Sequence, residues 1–179
     1  MPAYIAFLRA INLGATRKFP KDAIKAAVES AGGTEVQTYI NTGNVRFGSR
    51  MRSTGRVAAF LEETFLADRG FEVPTVVFTP AELRAVYADA QALEQPVAGE
   101  CRRYVTLLRD DPDAAAAAAV DALSFEGEAA RVVGRAVHVW LTNGVQGARL
   151  DNARLERALG VATTRDLKVI TTLAERWGA

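Results

Sequence analysis

Twice along this chain the hydrophobic period switches between that of a strand and that of a helix, each time in the order β-α-β-β-α-β. In the first pass, Tyr4 to Arg9 is an apolar run with aromatic and β-branched members, and Asn12-Leu13-Gly14 breaks it. Pro20 suits the first turn of a helix whose stripe is Ala23, Ile24, Ala27, Val28 and Ala31, and Gly32-Gly33 stops it. Val36, Thr38 and Ile40 alternate with Gln37 and Tyr39, so a second strand follows. Asn41-Thr42-Gly43-Asn44 reads as a tight turn before a third strand at Val45-Arg46-Phe47. Val57, Phe60, Leu61, Thr64 and Phe65 fall on one helical face. Val73 to Phe78 is a fourth strand, with Pro74 at its edge. Right-handed crossovers then place the third strand between the first two.

A helical connector and loop over 80–101 comes next, opened by Thr79, Pro80 and Glu82 as a capping box. The second pass covers 102–179. Arg103 to Leu108 is a strand, Asp110 to Asp113 starts an alanine-rich helix, and Gly134-Arg135 turns a hairpin. Asp151 or Asn152 caps a helix that Gly160 ends; Val161 to Thr164 is extended, and a last helix carries Leu167, Ile170, Leu173 and Trp177. The expected fold is α+β: two ferredoxin-like halves, 1–79 and 102–179, with mostly antiparallel sheets and helices packed on them in one continuous two-part unit. The duplication rests on element order, not on residue identity.

Composition narrows the function classes. One cysteine excludes a disulfide framework, and one histidine excludes a multi-histidine metal site. No apolar run approaches the ~18 residues of a membrane span, and the apolar start lacks a basic leader region, so a cytoplasmic location and no membrane partner are expected. No cofactor is expected: the phosphate-loop, G-x-G-x-x-G, H-E-x-x-H and G-x-S-x-G signatures are all missing. The near-neutral total of +1 argues against a general nucleic-acid binder. That total hides an asymmetry: residues 1–56 hold nine basic and three acidic side chains, the remainder 13 and 18.

The topology brings the end of the first strand beside the second turn. Arg9, Asn12, Gly14, Arg17 and Lys18 thus lie near Thr38, Tyr39, Asn41, Thr42, Gly43 and Asn44. Amide, hydroxyl and guanidinium groups next to a helix N-terminus suit a small anionic ligand: a carboxylate, a phosphate or a nucleotide. If the site is catalytic, Tyr39 or Lys18 is the candidate proton carrier and Arg9 the charge clamp. The plainer reading makes Asn41, Thr42 and Asn44 turn formers that satisfy their own backbone. A weaker anion cradle is the loop from Asn143 through Gly144 to Arg149, with Arg165 as a further weak candidate. Cys101 reads as a plain thiol and His138 as a sheet-face residue.

These stretches resemble a bacterial family, the domain of unknown function DUF1697. Its pattern Y-I-A-L-L-R-G-I-N-V-G-G, K-V-P-M and T-Y-I-Q-S-G-N-V-V-F stands here as Y-I-A-F-L-R-A-I-N-L-G-A, K-F-P-K and T-Y-I-N-T-G-N-V-R-F. Arg9, Asn12, Gly14, Lys18, Pro20, Thr38, Tyr39, Gly43 and Asn44 match; Asn41 and Thr42 are conservative departures. Later, P-N-G-x-G-R-S-K-L becomes T-N-G-V-Q-G-A-R-L, and T-x-R-N-W-N-T-V becomes T-T-R-D-L-K-V-I, in which Arg165 survives. The resemblance implies a two-part α/β fold and brings no reaction. Two alternatives to anion binding stay open: a structural or oligomerising module, and binding of RNA or another single-stranded nucleic acid.

Overall fold

The computed structural model describes residues 1–179, with two four-stranded antiparallel sheets and six helices. The chain divides into two compact units, Met1–Glu82 and Leu83–Ala179. The first contains β1 (Ala3–Leu8), α1 (Lys21–Ser30), β2 (Thr34–Tyr39), β3 (Asn44–Gly48), α2 (Thr54–Arg69) and β4 (Thr75–Phe78). Its strand order is β2-β3-β1-β4, so the third strand does lie between the first two.

The central strand β1 reads as an unbroken apolar run because both its faces are buried. Tyr4, Ala6 and Leu8 meet Val45, Phe47 and Val77 on the side where Ile24, Val28, Leu61 and Phe65 of the helices pack. Phe19 stands edge-to-face on Phe65, with centroids 5.1 Å apart. On the other face, Ile5 and Phe7 pair with Phe78 and Val76, and Phe7 meets Phe78 edge-on at 6.1 Å.

Two expectations at the ends of β2 need correcting. The strand starts earlier, at Thr34, through an irregularity in register before Gln37, where Glu35 has φ +51°. It also ends earlier, at Tyr39: Ile40, expected as its last residue, has φ +49° and opens the turn instead. A β-branched residue is strained in that region.

α3 (Pro80–Ala92) begins on the expected capping box: Thr79 N–H donates to Glu82 Oε2 at 2.7 Å, and Glu82 N–H to Thr79 Oγ1 at 3.2 Å. The second unit holds β5 (Arg102–Leu108), α4 (Ala114–Asp121), β6 (Glu128–Val133), β7 (Ala136–Leu141), α5 (Asn152–Leu159), β8 (Ala162–Asp166) and α6 (Leu167–Trp177). Its strand order, β6-β7-β5-β8, repeats that of the first unit. The alanine run is α4, capped by Asp113; Asp151, not Asn152, caps α5. The extended stretch after Gly160 is a five-residue edge strand, β8, paired with β5 from Leu108 to Tyr104.

Gly43 locks the β2–β3 turn onto β1. Its carbonyl accepts Leu8 N–H at 2.8 Å, its φ is +81°, and a Cβ there would lie 2.7 Å from Leu8 Cβ and 2.9 Å from Ile11 Cδ1. Gly14 also has a positive φ, but with open space around it. Gly43→Ala is therefore expected to cost at least about 2 kcal/mol in urea unfolding, against about 1 kcal/mol for Gly14→Ala. Equal losses would contradict this packing.

Candidate functional site

The residues at the ends of β1 and β2 do converge, and hydrogen bonds show how. Asn12 holds three backbone groups at once. Its Oδ1 accepts Phe19 N–H at 2.7 Å, while its Nδ2 donates to Phe19 O at 2.9 Å and to Asn41 O at 2.7 Å. Asn12 N–H donates to Arg17 O at 2.9 Å, closing the loop on itself. Asn41 Oδ1 accepts Lys21 N–H at 3.1 Å, which supplies the acceptor that Pro20 cannot offer at the start of α1. Asn44 is buried, and its Nδ2 donates to Tyr39 O at 3.0 Å and Thr42 Oγ1 at 2.9 Å.

These amides build the edge. Arg17 joins them: its Nε donates to Ala10 O at 2.7 Å, its Nη2 to Glu72 O at 2.5 Å, and its guanidinium lies 4.8 Å from the Phe71 ring centroid. Arg9 is half-buried, with its N–H on Pro74 O at 2.9 Å. Thr38 and Tyr39 are half-buried, and Lys18 and Thr42 are exposed. Ala10, Asn12 and Arg17 each have φ +55° and Ile40 has φ +49°, so four non-glycine residues of one edge sit in the left-handed region.

Where the second loop ends, two backbone N–H groups hold a carboxylate of the protein itself. Arg149 N–H donates to both Glu128 carboxylate oxygens at 3.0 Å, and Leu150 N–H donates to Oε2 at 2.8 Å. Arg149 and Arg154 stack on Phe125 at 5.2 and 5.3 Å. Asn143 lies in the turn and Gly144 takes φ +70°. Arg165 is elsewhere. It is buried on β8, bonded through Nη1 to Thr163 Oγ1 at 2.8 Å and Thr164 O at 3.0 Å, and burial pushes its pKa down to about 10.

Cys101 donates its thiol hydrogen to Gln95 Oε1 at 3.0 Å, and burial raises its pKa against the opposing pull of Arg103. It is therefore the opposite of an activated thiolate. No three His, Cys, Asp or Glu side chains gather as metal ligands. His138 is a sheet-face residue of β7: it is buried, and neither ring nitrogen has a hydrogen-bond partner. Burial, and secondarily the Arg103 charge, lower its pKa to about 4.

The family model described as "Protein of unknown function (DUF1697)" matches residues 1–138, which include the whole front edge and exclude the 143–149 loop and Arg165. A conserved bacterial protein from Streptococcus pneumoniae has a solved structure that superposes with a TM-score of 0.69 at 18% identity, covering 97% of each chain. That similarity shows a shared fold. No curated protein matches the chain. No helix is long and apolar enough to cross a membrane.

The buried imidazole of His138 makes the stability depend on pH. Its folded pKa lies below its ordinary 6.5, so the unfolded chain binds the extra proton between the two values. Its contribution is complete above pH 6.5 and is lost as the pH falls towards about 4. The loss amounts to roughly 3 kcal/mol. Urea unfolding of His138→Leu across this window should show a correspondingly shallower pH dependence than the parent chain; parallel curves would contradict a buried neutral imidazole.

Proposed function

We propose that this chain, which belongs to the DUF1697 family of proteins of unknown function, binds a small anion at the edge formed by the β1–α1 loop and the β2–β3 turn. The ligand class is a carboxylate, a phosphate or a nucleotide. We read the scaffold as two ferredoxin-like halves, because the β-α-β-β-α-β order and the strand order of the first unit recur in the second.

The strained backbone carries this reading. Each left-handed non-glycine residue costs about 1–3 kcal/mol, and such strain gathers where a surface must keep one shape for a ligand. Ala10, Asn12, Arg17 and Ile40 gather here, and the side chains that hold them are tied to backbone. A rigid loop pays less entropy on binding. Lys18 is exposed on this loop, and the positive end of α1 begins just beyond it at Lys21. The asparagines shape the edge, and Lys18 with the helix end supplies the attraction.

A thermal-shift series with phosphate, a nucleotide and a dicarboxylate tests the reading. At a hundredfold excess over Kd, a true ligand should raise the Tm by roughly 5 to 10 °C. Lys18→Glu should abolish that shift and leave the ligand-free Tm unchanged. No shift with any probe, or an undiminished shift in Lys18→Glu, would overturn it.

A further inference from the structure

We infer that the second unit carries a separate site for a hydroxylated anion, a phosphate monoester of a polyol, in the cleft between the start of β5 and the first turns of α6. The cleft has a volume of about 710 Å³. That is within the range of small-molecule sites.

The charge around it is unbalanced. Arg102, Arg103 and Lys168 line the cleft, and Asp166 is its one carboxylate. Asp166 is already engaged, with Oδ1 accepting Lys168 N–H at 2.8 Å as the cap of α6. The Arg103 guanidinium is half-buried against Trp140, 4.9 Å from the ring centroid, and forms no hydrogen bond or ion pair. Burial lowers its pKa, so the charge is held at a cost. Its own sheet face offers no relief. The register puts Arg103 beside Trp140, and the next row across the sheet is Arg131, His138, Val105 and Arg165. Strand alternation adds Leu107, Ala129, Val133, Ala136 and Thr163 to that face. It therefore bears three arginines without a carboxylate, and the histidine among them is neutral. A cleft backed by one sign of charge focuses the field on its mouth. An anion in the cleft supplies the partner that Arg103 lacks.

The other wall selects the rest of the ligand. Thr171 Oγ1 donates to Leu167 O, and Thr172 Oγ1 to Lys168 O, each at 2.9 Å. Their hydroxyl hydrogens are thus spent, and they offer the cleft only lone pairs. Asp166 Oδ2 is another acceptor. Groups facing them must donate, so the anion should carry hydroxyls. Inorganic phosphate brings at most its own P–OH hydrogens to this wall, whereas a polyol ester places several hydroxyls along it.

Isothermal titration of the full chain with a hexose phosphate, inorganic phosphate and the free hexose tests the assignment. The hexose phosphate should bind most tightly. Its Kd should rise about tenfold or more in Lys168→Glu and in Arg103→Gln. Lys168 is exposed, so its substitution changes charge without disturbing packing. The affinity should be unchanged in Lys18→Glu, which separates this cleft from the front edge. Three results would overturn the proposal: no binding by the hexose phosphate, affinity no greater than that of the free hexose or of inorganic phosphate, or a loss in Lys18→Glu but not in Lys168→Glu.

Discussion

The carboxamide of Asn12 is the constraint on which the front half of this molecule depends. One side chain answers the N–H and the carbonyl of Phe19 and the carbonyl of Asn41. It thereby fixes the loop after β1, the start of α1 and the β2–β3 turn in one arrangement. Phe19, held from behind, inserts a fully buried ring against Phe65. Asn41, held by its carbonyl, uses its own side chain on Lys21 N–H. Removing the Asn12 amide would leave the Phe19 N–H and carbonyl unanswered near the core, a cost of about 1–3 kcal/mol per group. The left-handed residues around it persist because this network over-determines them.

Electrostatics divides the basic residues into those spent on the fold and those left for solvent. Arg17 belongs to the first group, with two carbonyls and an aromatic face as partners. Arg154 and Arg149 likewise stack on Phe125, and Arg154 Nε donates to Arg149 O at 2.7 Å. The excess of basic side chains in residues 1–56 thus does not translate directly into ligand-binding charge. Lys18, Arg102 and Lys168 are among the cationic side chains without such bonds, and Arg103 has only the face of Trp140.

Short-range features were legible in the sequence. The Thr79–Glu82 capping box works within three residues, and the caps Asp113 and Asp151 fall within the short runs Asp110–Asp113 and Asp151–Asn152 that the sequence offered. Strand order followed from crossover handedness. Long-range partners were not legible. The loop that ends at Arg149 reads locally as a weak anion cradle, and nothing in it announces that Glu128, 21 residues earlier, accepts the Arg149 N–H. Nothing local announces that Asn12 reaches Asn41 across 29 residues and ties the two loops together. The left-handed Ile40 contradicts its own propensity, so no local rule could announce it. The cleft beside Arg103 depends on the register of β8 against β5, with Asp166 opposite Tyr104, and only the assembled sheet reveals it.

Native-state hydrogen exchange of the front edge measures whether that frame is rigid. The amides to follow are Leu8, Asn12, Phe19 and Lys21, each bonded within the network. In the parent chain they should be protected nearly as well as the central amides of β1. In Asn12→Ala they should open locally while Ile5 and Val45 keep their protection. Exchange of these four amides at unfolded-chain rates in the parent protein would contradict a preformed edge.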